Sequence, residues 1–171
     1  MVQHKLGSSM AINDATMRKM RGLFASGVTV VTTALEGRLH GVTVSAFAAV
    51  SLDPPLVLIA LANETTTREM IAESGIFAVN ILSDELEFLS ERFAARAPLV
   101  NETFEGVPHH IAATGAPILE KSLAWYDCRL DATHDGGDHT LFVGRVQATG
   151  MDAGRRPLVY FANRYRAIAD R

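Results

Sequence analysis

Two hydroxyls two residues apart, Thr43 and Ser45, stand in a segment that carries no charge from Gly41 to Leu52. At the two-residue period of a strand, Val42, Val44, Ala46, Ala48 and Val50 fall on one face, and Thr43, Ser45, Phe47, Ala49 and Ser51 on the other. The first face reads as core. The second, all small side chains and hydroxyls apart from Phe47, suits a flat heterocycle lying against the backbone, or a neighbouring strand with its hydroxyls satisfied by main-chain groups. Further on, ANETTTRE (62–69) sets three threonines and Arg68 at the start of a helix that follows an apolar strand. Helix N-terminal amides, hydroxyls and a guanidinium together suit a phosphate, and the same residues also make an ordinary capped helix. A planar ring with a phosphate tail would use both stretches. A third candidate is His139, where a Gly-Gly turn meets a strand in GGDHTLFVGRV (136–146). Loop ends of this kind form sites, and they also hold half-exposed turn histidines.

Other chemistries lack their usual residues. There is no Gly-x-Ser-x-Gly elbow, no Walker phosphate loop and no Gly-x-Gly-x-x-Gly after a strand. His4 lies near the start, His40 beside a turn and His134 near a loop, while His109-His110 lacks the spacing and companions of a metal site, so no metal is expected. Cys128 sits in an apolar strand with Arg129 on the opposite face, which makes it a core residue rather than a nucleophile; Trp125 and Tyr126 read as packing residues.

The elements that must position these groups alternate between β-branched runs and short helices. Asn13 or Asp14 caps a first helix with Met17, Met20, Leu23 and Phe24 on one face, ending at Gly27. Strands follow at 28–35, 41–52 and 56–62, separated by turns at Glu36-Gly37 and Asp53-Pro54-Pro55. A second helix begins at Thr65 or Thr66, Thr66 and Glu69 having capping-box spacing, and Gly75 stops it. After a strand at 76–82, Ser83 caps a third helix with Leu86, Leu89 and Phe93 on one side; 95–117 reads as loop, and strands return at 122–134, 139–151 and 157–168. Short, evenly spaced strands point to a mainly β, closed or nearly closed antiparallel barrel, since closure removes exposed edges.

The 171 residues, 48% of them apolar, fit one domain, with residues 1–12 as a mobile leader and 13–171 as the folded unit. A net charge of −3 without a basic stripe argues against nucleic acid as a partner. The charge-free stretches at 22–35 and 41–52 fall short of the roughly 20 apolar residues of a membrane span. With one cysteine and no signal-like start, a cytoplasmic protein is expected.

The ordered set FASGVTVVTT, HGVTVSAFAAVSLDPPLVLIAL, FAVNIL, LSERFA, GDHTLFVGRV and PLVYFANRYR, spanning roughly residues 17 to 168, resembles the flavin reductase-like family of FMN-binding split barrels. These are the reductase components of two-component flavin monooxygenases. The resemblance implies a homodimeric antiparallel Greek-key split β-barrel with a few flanking helices, and FMN or FAD bound near the subunit interface. Carried over position by position, it implies Thr43, Val44, Ser45 and Ala46 along the isoalloxazine ring, with Ala60, Leu61 and Asn63 continuing towards the ribityl chain. Thr66, Thr67 and Arg68 would form the phosphate cradle. It also implies His139 at the nicotinamide side of an NADH or NADPH donor, and Phe93 and Tyr165 near the flavin or dinucleotide. Asn163 stands where a glycine is common, which puts a site role for Asn163-Arg164-Tyr165 in question. The implied activity is hydride transfer from NAD(P)H to flavin, supplying a separate oxygenase. A bound-flavin enzyme acting on an organic substrate and a non-catalytic flavin-binding protein are the alternatives.

Overall fold

The computed structural model describes residues 12–94 and 104–168. Apart from Ile12, the leader expected over 1–12 lies outside them, as do residues 95–103 of the expected loop. In chain order the elements are α1 (Asp14–Arg21), β1 (Ser26–Gly27), β2 (Thr29–Leu35), β3 (Arg38–Val44), β4 (Phe47–Leu52), β5 (Pro55–Ala62), α2 (Thr66–Ser74), β6 (Ile76–Ile81), a 3-10 turn (Asp84–Leu86), α3 (Glu87–Phe93), β7 (His109–Ile111), β8 (Pro117–Leu119), β9 (Ala124–Asp135), β10 (His139–Met151), β11 (Val159–Phe161) and β12 (Arg164–Arg166). Seven strands form one sheet in the order β3-β2-β6-β9-β10-β5-β4, every pairing antiparallel. Its two edge strands, β3 and β4, are consecutive in the chain. The link between them, Ser45–Ala46, turns the chain from one edge to the other, and Ala60 N donates to Ala46 O at 3.1 Å. The sheet therefore curls until its edges meet at one corner, the nearly closed barrel that the strand pattern predicts.

That corner corrects the reading of 41–52 as one strand. Val44 is buried in the barrel core as expected, but beyond the corner the parity of the chain reverses. Phe47 turns inward, 5.7 Å from the Tyr126 ring, while Ala48 and Val50 face outward and are exposed. Two residues that leave the pleat without pairing shift the inside–outside alternation.

β2 is buried on both faces: Val31 lies in the barrel interior with Ile59, Phe77 and Phe142, whereas adjacent Val30 lies in an outer layer with Leu86, Leu89, Phe93 and Leu158. Between these layers the fully buried Asn80 uses both ends of its amide, donating to Val30 O at 3.1 Å and accepting from Leu119 N at 2.8 Å, which ties β8 to the sheet. Buried Asp127 accepts from Ala113 N at 2.6 Å and Thr114 N at 2.8 Å, anchoring the approach to β8.

Local chemistry departs from the sequence expectation at several ends. Asn13 caps α1 through a 2.9 Å bond from Thr16 N, but the helix closes at Gly22 rather than Gly27, and no residue of it is buried. The N-cap of α2 is Thr65, whose hydroxyl donates to Ala62 O at 2.9 Å, so the Thr66–Glu69 capping box does not form. Ser83 precedes the 3-10 turn and donates to Lys121 O at 2.8 Å instead of capping α3. The expected loop at 95–117 includes β7, paired with β8. The expected strand at 157–168 is a hairpin, because Ala162 and Asn163 both take positive φ, 51° and 61°, and make a tight two-residue turn between β11 and β12.

Candidate active site

His139 is the first residue of β10 and pairs with Ala62 of β5, so the turn before it stands beside the end of β5. Asn63 fixes that turn three times: its N–H donates to Asp138 O at 3.0 Å, its amide nitrogen to Gly137 O at 2.9 Å, and its amide oxygen accepts from Thr140 Oγ1 at 2.8 Å. Arg68 Nε in turn donates to Thr140 Oγ1 at 3.2 Å. The His139 Nδ1 lies 2.7 Å from Asp138 Oδ1. A carboxylate only accepts, so Nδ1 carries the proton and Nε2 is left to face other groups. That hydrogen bond, followed by the imidazole's charge, holds the exposed Asp138 carboxyl below its ordinary value.

Opposite His139, the corner of the barrel opens into a cavity of about 250 Å³. Of the residues singled out from the sequence, Thr43, Val44, Ser45, Ala46, Ala60, Leu61, Tyr165 and His139 all line it. Val44 and Leu61 have their side chains in the barrel core, so they offer the cavity their backbone. The Thr43 hydroxyl is already used, donating to Ser90 O at 2.7 Å, the satisfied-hydroxyl alternative read from the sequence. Ser45 is exposed and its hydroxyl makes no hydrogen bond among the described residues. Tyr165 holds its place through a hydroxyl shared with Ser90 Oγ at 2.8 Å and donated to Glu91, and its ring packs edge-on to Tyr160 at 5.4 Å. Among the described residues no carboxylate lines this cavity, and its charged or ionisable members are Arg21, His139 and the two tyrosines.

A second pocket of about 370 Å³ adjoins the first through Val42, Thr43, Thr65 and Ala94, and runs to the first turn of α2. Thr66, Thr67 and Phe93 border it. Phe93 is a core residue, 3% exposed, its ring tilted 45° to that of Phe104 at 5.3 Å and close beneath Gly41, where a Cβ would come within 3.1 Å of it. Thr67 is fully buried and its Oγ1 lies 2.7 Å from His40 Nδ1. Asn63 and Arg68 border neither pocket. Their side chains are spent on the turn that carries His139, so they position rather than line.

Sequence reasoning passed over Arg21, Tyr160, Ser90 and His40. Arg21 ends α1 and Tyr160 sits in a short hairpin, and only folding brings them to the cavity. The one available signal for His40 was its place at the head of the uncharged segment. Cys128 is fully buried and its thiol is pushed up to about 12, by burial first and by Asp127 second, so it is no thiolate nucleophile. Among the described residues no three His, Cys, Asp or Glu side chains gather as metal ligands.

The two joined pockets have the chemistry of a planar heterocycle with an anionic tail. The first is walled in part by backbone and small side chains, with no carboxylate among the described residues; the second runs to the start of α2 with Thr65, Thr66 and Thr67, and Glu64 also borders it. Residues 20–169 match the flavin reductase like domain family. The chain is 39% identical over 158 residues to the reductase subunit HsaB of a flavin-dependent monooxygenase from Rhodococcus jostii (strain RHA1), covering 92% of this chain and 80% of that one. It is 39% identical over 155 residues to an NADH-dependent flavin reductase from a Rhodococcus species, covering 89% and 85%. The solved structure of the flavin reductase PheA2 superposes with a TM-score of 0.87 at 36% identity, over 93% of this chain and 100% of that one. A mainly β barrel and a family match across nearly all its length place this chain in the flavin reductase like family.

Proposed function

We propose that the protein transfers a hydride from NADH or NADPH to FMN or FAD and hands reduced flavin to a separate monooxygenase. The observation that carries this reading is the pair of joined pockets: Ser45, Ala46 and Ala60 against the ring, and the start of α2 with Thr66 and Thr67 at the phosphate. When bound together, the flavin and the nicotinamide supply the redox chemistry themselves. The chain's task is placement. Small side chains at 45, 46 and 60 leave room for two stacked rings, whose reacting atoms must approach to roughly 3–3.5 Å. Backbone groups of the 44–46 corner and the Ser45 hydroxyl would meet the ring edge in this reading, and among the described residues no carboxylate opposes negative charge there. His139, its Nδ1 held by Asp138, lines the cavity, where it would orient the donor or move a proton.

Oxidation of NADH followed at 340 nm, with and without added FMN or FAD, tests the reading. Stimulation by free flavin supports it. Reduction of an organic acceptor only, or a yellow protein with no turnover, sinks it. Replacing His139 with Ala is expected to lower kcat about 10²-fold, the lower end of general acid–base contributions, while the FMN Kd stays within twofold. Unchanged turnover removes His139 from the mechanism.

The same reading has the chain act as a homodimer. Met17 and Met20 of α1, Leu23 and Phe24 just beyond its end, and the outer residues Val50 and Leu52 are exposed in the single chain, the kind of surface a partner covers. No helix among the described residues is long and apolar enough to cross a membrane. A cytoplasmic location fits the lone buried cysteine and a nicotinamide donor.

A further inference from the structure

The pocket at α2 is larger than the ring cavity it adjoins, about 370 Å³ against about 250 Å³. In FMN the ring is bulkier than the ribityl phosphate, whereas in FAD the ribityl pyrophosphate and adenosine together are bulkier than the ring. The two spaces have the proportions of FAD.

Charge points the same way. A phosphomonoester such as that of FMN carries about −1.5 to −2 at pH 7, and a group of that charge is ordinarily met by guanidinium or ammonium. Among the described residues no Lys or Arg borders the pocket at α2, and its ionisable members are His40, whose Nδ1 lies 2.7 Å from Thr67 Oγ1, and Glu64. Arg68 is turned away to Thr140. Basic side chains gather elsewhere: Arg18, Lys19 and Arg21 border a groove of about 770 Å³ beneath α1, which has no residue in common with the pocket at α2. What this pocket offers an anion is the helix start. The N–H groups of Arg68 and Glu69 both turn back to Thr65 O, at 3.1 and 3.4 Å, which leaves those of Thr66 and Thr67 without a hydrogen bond among the described residues. Two amides and a dipole worth roughly half a charge suit the single charge of a phosphodiester better than a near-dianion.

Glu64 stands immediately before the N-cap Thr65, exposed, and its carboxylate makes no hydrogen bond or ion pair among the described residues. A carboxylate beside a helix N-terminus also complements the dipole, but that role does not require it to border a pocket, as Glu64 does. There it repels a terminal phosphate dianion, and as an acceptor-only group it can take hydrogen bonds from the diol of a ribose. Resting on the flavin reductase reading, we infer that Glu64 makes this chain select FAD over FMN, by opposing the phosphomonoester of FMN and accepting from the adenosine ribose of FAD.

Flavin fluorescence titrations test this with FAD, FMN and riboflavin, which keeps the ring and ribityl chain and has no phosphate, on the full chain and on Glu64→Gln and Glu64→Lys. Position 64 lies outside α2 and is exposed, so both variants are expected to keep the wild-type melting temperature. The wild type should bind FAD about fivefold or more tightly than FMN, the size of one exposed charge pair in water. It should bind riboflavin no more weakly than FMN. The preference for FAD should shrink in E64Q and invert in E64K, while the riboflavin Kd stays within twofold across all three proteins. In NADH oxidation, the ratio of kcat/KM for FAD to that for FMN should follow the same order. FMN bound by the wild type as tightly as FAD, or one FAD-to-FMN ratio shared by all three proteins, overturns the assignment, and the wild-type comparison decides even where a variant melts low. Riboflavin bound without a preference for FAD fails the role of Glu64 alone; binding of none of the three flavins fails the flavin reading and this assignment with it.

Discussion

Gly144 shows how narrow the barrel interior is at one residue. A Cβ built there would lie 2.3 Å from Phe77 Cζ and 2.9 Å from Cys128 Cβ, and the register of β10 against β9 shifts at the same place. The bulge lets the backbone approach the fully buried Phe77 ring closely, so the position tolerates no side chain. Gly144→Ala is expected to cost about 1–3 kcal/mol, since the ring cannot move without displacing its neighbours. Chemical denaturation measures this, and a change below about 0.5 kcal/mol would contradict the tight packing. At the site the same scale separates lining from positioning. Ser45 faces the cavity with its hydroxyl unused, while Asn63 and Arg68 act one step away by holding the His139 turn. Family likeness alone names all of them without telling the two roles apart.

At the scale of elements, the hairpin of β11 and β12 decides whether Tyr160 and Tyr165 reach the cavity. Asn163 meets the need for a left-handed residue, since its short polar side chain tolerates positive φ, and it also borders the groove beneath α1. Ala162, also left-handed, carries the strain of a Cβ. Ala162→Gly is expected to raise stability by up to about 1 kcal/mol. Asn163→Val, a β-branched residue in the same conformation, should lower it by about 1–2 kcal/mol and weaken FMN binding by loosening both tyrosines. Thermal melts and flavin fluorescence titration check the pair. Destabilisation by the glycine variant would show that the turn is not the two-residue type described.

Over the whole molecule, the exposed apolar surfaces of α1 and of β4 lie on either side of the barrel corner, where the cavity opens. A homodimer that covers β4 would complete the shielding of the ring site. Light scattering at micromolar concentration is expected to give twice the chain mass, and Val50→Glu, placing a charge on the outer face of β4, should shift the protein towards monomer with a loss of FMN affinity. A monomeric wild type would end this reading, and an unaffected dimer would move the interface off β4.

Much of this was legible in the residues themselves. Period-two alternation, turn dipeptides and β-branched runs determined the strands, because whether a side chain can be buried and whether a backbone can turn are local properties. Cys128 could be read as core, and Thr43, Ser45 and His139 as candidate site residues, in the same way, whereas Val44, Ala46, Ala60 and Leu61 were indicated only by the family resemblance. What tertiary structure alone decided was parity and company. The Ser45–Ala46 corner reverses which residues face inward, a choice made by closing the sheet edge to edge and not by the segment's own pattern. The gathering of Arg21, Ser90, Tyr160 and His139 around one opening comes from elements far apart in the chain. Local propensity sets how each stretch bends, whereas burial of the barrel interior sets which stretches become neighbours, and only the second builds the site.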